Sequence, residues 1–163
     1  MKELLLIRHA KSEWESSDYK DFSRRLSERG HQDASDMAQK LFNDGVKINR
    51  FISSPALRAI TTAGYFAKAY QTDFVNIIQE PLLYEGSIRD YYNLLENLSD
   101  DIESIALFAH NPGITDFIIE QQVAILDQMP PCGIFGIKLD TDHWKEFQTC
   151  QKEFWFFEQP KLF

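Results

Sequence analysis

The chain has 163 residues, enough for one domain with a substantial core and too few to expect two. Hydrophobic residues make up 44% of it, with 13 phenylalanines among the aromatics, so the composition excludes a disordered chain. A formal net charge of −8 argues against nucleic acid or an anionic membrane as the main partner. The first apolar run, Leu4 to Ile7, stops at Arg8, so neither a signal peptide nor a membrane span is expected there. This run reads as a buried strand, and Arg8 and His9 fall at its carboxyl end. Ser12 to Arg25 is polar and aperiodic and reads as an active-site loop, with Trp14 packing beside the pocket. Ala34, Met37, Ala38, Leu41 and Phe42 share one face of a helix from Glu28 to Asn43, which Gly45 is placed to end.

Arg50 to Ser53 reads as strand two, with Ser54 as N-cap and Pro55 as first residue of a helix reaching Tyr70. Phe74 to Ile78 is a candidate third strand, and Tyr91, Leu94, Leu95 and Leu98 mark another amphipathic helix. Ile105 to Ala109 reads as a buried strand, followed by a helix that Asn111-Pro112-Gly113 opens. Gly133 to Leu139 and Phe154 to Phe157 read as late strands at one side of the sheet. The second carries enough aromatic surface to leave a dimer contact as an alternative to the core. The alternation of strand and helix predicts an α/β three-layer sandwich, a mostly parallel central sheet with helices on both faces. Cys132 and Cys150 lack CxxC or metal-ligand spacing and read as reduced thiols of a cytoplasmic protein.

In open α/β sheets ligands bind beyond the carboxyl ends of the strands. Strand one delivers Arg8 and His9 there, Arg58 follows strand two in the first turn of a helix, and His110 ends the Ile105 strand. Arginine matches a phosphoryl group with bidentate hydrogen bonds, helix N-termini favour anions, and a neutral imidazole is a nucleophile. The cationic side chains would supply the charge stabilisation, so no metal and no cofactor are expected. Taken singly, the histidines could be buried and satisfied by backbone, and Arg58 could be a surface helix residue. His31 and His143 have no comparable context and read as structural or exposed.

The segments Arg8-His9-Ala10-Lys11-Ser12-Glu13-Trp14, Leu26-Ser27-Glu28-Arg29-Gly30, Ser53-Ser54-Pro55-Ala56-Leu57-Arg58-Ala59 and His110-Asn111-Pro112-Gly113 occur in one order along the chain. In this ordered set the chain resembles the histidine phosphatase superfamily, with its phosphoglycerate-mutase-like fold. Within it, the short phosphohistidine phosphatases of the SixA type match best. The resemblance implies that His9 is the phosphorylated nucleophile, that Arg8 and Arg58 bind phosphoryl oxygens, and that His110 completes the pocket. Lys11, Ser12, Arg24 and Asn111, in or beside these motifs, are the substrate-binding candidates, and Arg25 could extend the same positive rim. Two departures stand out: Ala10 replaces the usual glycine, and Thr61-Thr62 stands where Gln-Thr is frequent.

Glu85, in Leu83-Tyr84-Glu85, fits the context of the family's general acid, with a solvated loop carboxylate as the alternative. An alkoxide leaving group needs a proton, whereas imidazole leaves far more readily. The expected substrate is therefore a phosphorylated protein histidine or a small phosphorylated metabolite. Two other readings stay open: a phosphoglycerate-mutase-type phosphotransferase and a non-catalytic phosphate-binding or adaptor domain. The sequence leaves the oligomeric state and partner proteins undefined.

Overall fold

The computed structural model describes residues 1–13 and 20–161. Six strands form one mixed sheet: β1 (Lys2–Arg8), β2 (Arg50–Ser53), β3 (Ile78–Gln79), β4 (Ser104–Ala109), β5 (Ile134–Asp140) and β6 (Gln151–Glu158). Four helices accompany them: α1 (Glu28–Asn43), α2 (Leu57–Ala69), α3 (Ile88–Glu96) and α4 (Gly113–Gln121). The spatial order is β3-β2-β4-β1-β5-β6. The first four strands in that order are parallel, while β5 pairs antiparallel with β1 on one side and with the edge strand β6 on the other.

Successive side chains on a strand face opposite sides of a sheet, so an all-apolar strand must be covered on both. Leu4 and Leu6 of β1 pack beneath Tyr91 and Leu95 of α3 and Ile114 and Phe117 of α4. Leu5 and Ile7 enter the other layer, with Ala34, Met37 and Leu41 of α1 and Ala63 and Phe66 of α2. Burying such a residue contributes about 1.5–3 kcal/mol, and Leu4 to Ile7 are all fully buried.

Helix α1 has the predicted bounds. Ser27 caps it by accepting from the Gly30 N–H at 3.0 Å. Gly45, at φ +80°, closes it as a Schellman turn, its N–H bonding Phe42 O while Val46 N–H bonds Leu41 O. Phe42 lies outside the buried stripe and packs edge-on against Tyr70. Gly30 is required by proximity, because a Cβ there would sit 2.0 Å from the Lys11 carbonyl oxygen. The same carbonyl accepts the Ser27 N–H at 2.9 Å, so the first turn of α1 rests against the backbone just past β1.

Three expectations change. Helix α2 starts at Leu57, with Ala56 rather than Ser54 at the N-cap; the Ser54 hydroxyl instead accepts the Ala56 N–H and turns toward the site. Phe74 to Asn76 forms a 3-10 turn and only Ile78 and Gln79 pair as strand, since Phe74 and Val75 are exposed and have no buried face to hold them in a sheet. The aromatic run belongs to the longer strand β6, where Trp155 and Phe156 back one core layer, Phe157 backs the other, and Phe154 is partly exposed. Trp14 and the middle of the expected active-site loop lie outside the described residues. No helix among the described residues is long and apolar enough to cross a membrane.

Candidate active site

Register brings the site together. Arg8 pairs with Ala109 across β1 and β4, so the residues that follow, His9 and His110, emerge side by side with ring centroids 5.1 Å apart. The next strand adds Ser54, whose N–H bonds Phe108 O at 2.9 Å. On the other side, the turn before β5 clamps the end of β1: the Cys132 N–H lies 3.1 Å from Arg8 O and 3.0 Å from His9 O. Cys132 takes φ +58° to do so, and its buried thiol is pushed up out of the reactive range.

His9 Nδ1 lies 2.7 Å from the carbonyl oxygen of Ala10. A ring nitrogen facing a carbonyl must carry the proton, so the lone pair sits on Nε2. Burial, with the nearby charges of His110, Arg8 and Arg58, outweighs the Ala10 bond and holds the His9 pKa well below 6.5. His9 is therefore neutral at neutral pH, with a nucleophilic nitrogen that bonds to no described residue.

His110 Nε2 lies 2.7 Å from the Ser54 hydroxyl. That oxygen already accepts the Ala56 N–H at 3.2 Å, so its own proton is available to Nε2, and the His110 proton then resides on Nδ1. His110 Nδ1 is buried and has no partner among the described residues. Burial, followed by the charge of Arg58, lowers the His110 pKa to about 4.

Three arginines surround the histidines. Arg8 sends Nη1 to Met129 O at 2.9 Å. Arg58, on the first turn of α2 as expected, sends Nη1 to Asp21 O at 2.7 Å and Nη2 to Asp21 Oδ2 at 3.1 Å. Arg24 sends Nη2 to Asp21 Oδ1 at 3.1 Å. The Nε atoms of Arg8, Arg24 and Arg58 are all buried without a partner among the described residues. Burial and the charges of Arg58 and Arg24 lower the Arg8 pKa, which records how tightly the cations are packed. His9, His110 and Arg58 are only 5–6% exposed. Burying a polar N–H unbonded costs free energy, so these four donors, on side chains close enough for their charges to act on one another, would gain from an acceptor.

The remaining sequence candidates are placed differently. Glu85 is exposed and lines a cleft of about 200 Å³ together with His110, Tyr84, Ser87, Asn111 and Asp116. The Asn111 amide is engaged by the scaffold, donating to Met129 O at 3.1 Å and accepting from the Thr115 hydroxyl at 2.6 Å. The Lys11 side chain is exposed, and its carbonyl serves α1. Ser12 forms an isolated antiparallel bridge with Leu26. Arg25 lies 3.7 Å from Glu13. His31 and His143 pair with Tyr65 and Asp100, away from this site.

Three contributors escaped sequence reasoning. Thr62 accepts the Ala10 N–H at 3.0 Å and donates to Arg58 O at 2.8 Å, tying the backbone after His9 to the helix that carries Arg58. Asp21 and Tyr84 meet at 2.6 Å, and the Tyr84 ring packs edge-on to His110 at 5.6 Å. A threonine one turn after Arg58 was a visible signal; nothing local marks Asp21 within an aperiodic loop.

The model of the histidine phosphatase superfamily (branch 1) matches residues 4–112, the span that carries Arg8, His9, Arg24, Arg58 and His110. The chain belongs to the histidine phosphatase superfamily. Its fold is shared with a protein of Agrobacterium tumefaciens assigned as the phosphohistidine phosphatase SixA, at TM-score 0.82 and 22% identity over 98% of this chain and 99% of that one. A protein histidine phosphatase SixA in complex with tungstate superposes equally well, at TM-score 0.82 and 20% identity over 97% of each chain. A mycobacterial glucosyl-3-phosphoglycerate phosphatase in complex with VO3 follows at TM-score 0.70 and 13% identity, over 94% of this chain and 97% of that one. No protein of curated function matches the chain by sequence. Membership of the superfamily supports a phosphatase-type function.

Proposed function

We propose that this histidine phosphatase family member is a metal-independent phosphatase that works through a covalent phosphohistidine on His9. The observation that carries the reading is the set of four buried, unpartnered N–H groups, from Arg8, Arg24, Arg58 and His110, around a neutral His9. They match the oxygens of a phosphoryl group, whose charge spreads over three equatorial positions in the transition state. Two proteins of the same fold are known with oxyanions, tungstate and VO3, which is consistent with such a site here.

In the first step the Nε2 lone pair of His9 forms the N–P bond as the bond to the leaving group breaks, and the departing electron pair goes with that group. The arginines and His110 Nδ1–H stabilise the phosphoryl oxygens throughout. In the second step water attacks phosphorus, releasing inorganic phosphate and restoring the lone pair on Nε2. An imidazole leaves without strong acid assistance; an alkoxide takes its proton from Glu85, beside His110 in the cleft. Among the described residues, the charged side chains lining that cleft are those of Glu85 and Asp116, with no lysine or arginine. This favours a neutral or cationic leaving group, such as the imidazole of a phosphorylated histidine, over the carboxylate-bearing substrate of a phosphoglycerate mutase.

The test measures phosphate release from an aryl phosphate and from a phosphohistidine protein, with EDTA present, for wild type and His9→Ala. Wild-type activity on at least one substrate and its loss in His9→Ala are expected, by roughly a thousandfold or more. Activity surviving in His9→Ala rules out the nucleophile. Inactivity of the wild type on both substrates favours a non-catalytic phosphate-binding domain.

A further inference from the structure

Asp21 sits between two arginines, Arg24 and Arg58, and nothing in the phosphoryl-transfer scheme above uses it. Its carboxylate is nonetheless fully engaged: Oδ1 accepts from Arg24 at 3.1 Å, and Oδ2 accepts from Arg58 at 3.1 Å and from the Tyr84 hydroxyl at 2.6 Å. Its main-chain oxygen takes a further bond from Arg58, at 2.7 Å.

The guanidinium is planar, with one edge formed by the two terminal nitrogens and another by Nε and Nη2. Asp21 takes the terminal edge of Arg58, Nη1 through its main-chain oxygen and Nη2 through its carboxylate. The Nε edge of Arg58 is left buried and unpartnered, and Arg24 likewise keeps a buried, unpartnered Nε while Nη2 is held by Asp21. A carboxylate at this point also offsets the repulsion among the three cations, which otherwise favours splaying them apart. Burial works to raise the Asp21 pKa, but the bonds from Tyr84 and Arg58 and the charges of Arg58 and Arg24 prevail and keep it below the ordinary 3.8. The bond to Asp21, with burial behind it, raises the Tyr84 pKa, so the phenol stays a donor.

We infer that Asp21 is a positioning residue: it holds Arg58 and Arg24 by one edge so that their Nε edges face the phosphoryl group, and through Tyr84 it fastens the leaving-group cleft to that pocket. The inference rests on the phosphoryl-site reading given above. It also makes a prediction of opposite sign to simple electrostatics. A carboxylate that merely competed for the arginines would, once neutralised, leave the pocket more attractive to anions; a positioning carboxylate would leave it less so.

The experiment titrates inorganic phosphate calorimetrically into the full chain, as wild type, Asp21→Asn, Asp21→Glu and Tyr84→Phe. Phosphate affinity is expected to fall about tenfold or more in Asp21→Asn, the order of loss when a charge-assisted network is broken. Asp21→Glu is expected to recover part of it, and Tyr84→Phe, which keeps the carboxylate, to stay within about threefold of wild type. Equal or tighter binding by Asp21→Asn overturns the inference while leaving the phosphoryl site standing. So does an equal loss in Tyr84→Phe, which would mark general loosening of the segment. Absence of phosphate binding by the wild type overturns both the inference and the functional reading beneath it.

Discussion

His110 makes the stability of this protein depend on pH in a window where few other groups act. Its folded pKa is about 4, against 6.5 for a free imidazole, because burial and Arg58 disfavour the charged form. As pH falls through 6.5 the unfolded chain takes up a proton that the folded chain accepts only near 4. The unfolded state thus binds more protons in between, and stability falls with pH. The linkage integral gives a loss from His110 of about 2 kcal/mol at pH 5 relative to neutral pH. His9, also held well below 6.5, acts in the same direction. Asp21, Asp100, Asp101 and Asp142 are all lowered from 3.8, so their losses come at more acid pH and do not blur the window. The assay is urea unfolding, followed by tryptophan fluorescence at about pH 5 and about pH 7.5 in phosphate-free buffer, for wild type and His110→Gln. Wild type should lose at least about 2 kcal/mol between the two conditions, and His110→Gln about 2 kcal/mol less than wild type. Parallel losses in the two proteins would refute a neutral, buried His110.

Two further outcomes test the scaffold and the leaving-group side. Gly30→Ala places a Cβ 2.0 Å from the Lys11 oxygen, a contact that backbone must move to relieve; it should destabilise the fold by about 1–3 kcal/mol in urea unfolding and lower kcat/KM as well. Glu85→Gln should slow hydrolysis of an alkyl phosphate by about tenfold to a hundredfold while leaving a phosphohistidine substrate nearly unaffected, and equal slowing on both would remove Glu85 as the proton donor.

The frame of the site was legible because it rests on patterns with a mechanism. An apolar run too short for a helix predicts β1, and a 3.6-residue stripe ended by Gly45 predicts α1 from about Glu28 to Asn43. Parallel neighbours then bring Arg8, His9, Arg58 and His110 to one edge. The third strand was less legible, since Phe74 to Ile78 has strand-like composition and exposed, unpaired surroundings. Ser54 read as a cap because a serine before proline usually is one, yet its hydroxyl orients His110. Asp21 and Tyr84 are 63 residues apart and carry no local pattern, so only the folded chain reveals their contact.

Strand β1 has a second consequence. It is interior to the sheet, between β4 and β5, and its far end is pinned by Lys2, whose ammonium is buried against the carbonyls of Asp100 and Ile102. His9 thus extends from an interior strand, whose amides are expected to exchange only through opening of the sheet. Asp21 and Arg24, in contrast, hang on a short turn, Asp21–Ser23, that contains no buried residue. The two halves of the pocket therefore belong to cooperative units of very different opening energy. Mild denaturant or warming should release the Asp21–Arg24 clamp first, while the sheet, the helices and His9 remain native.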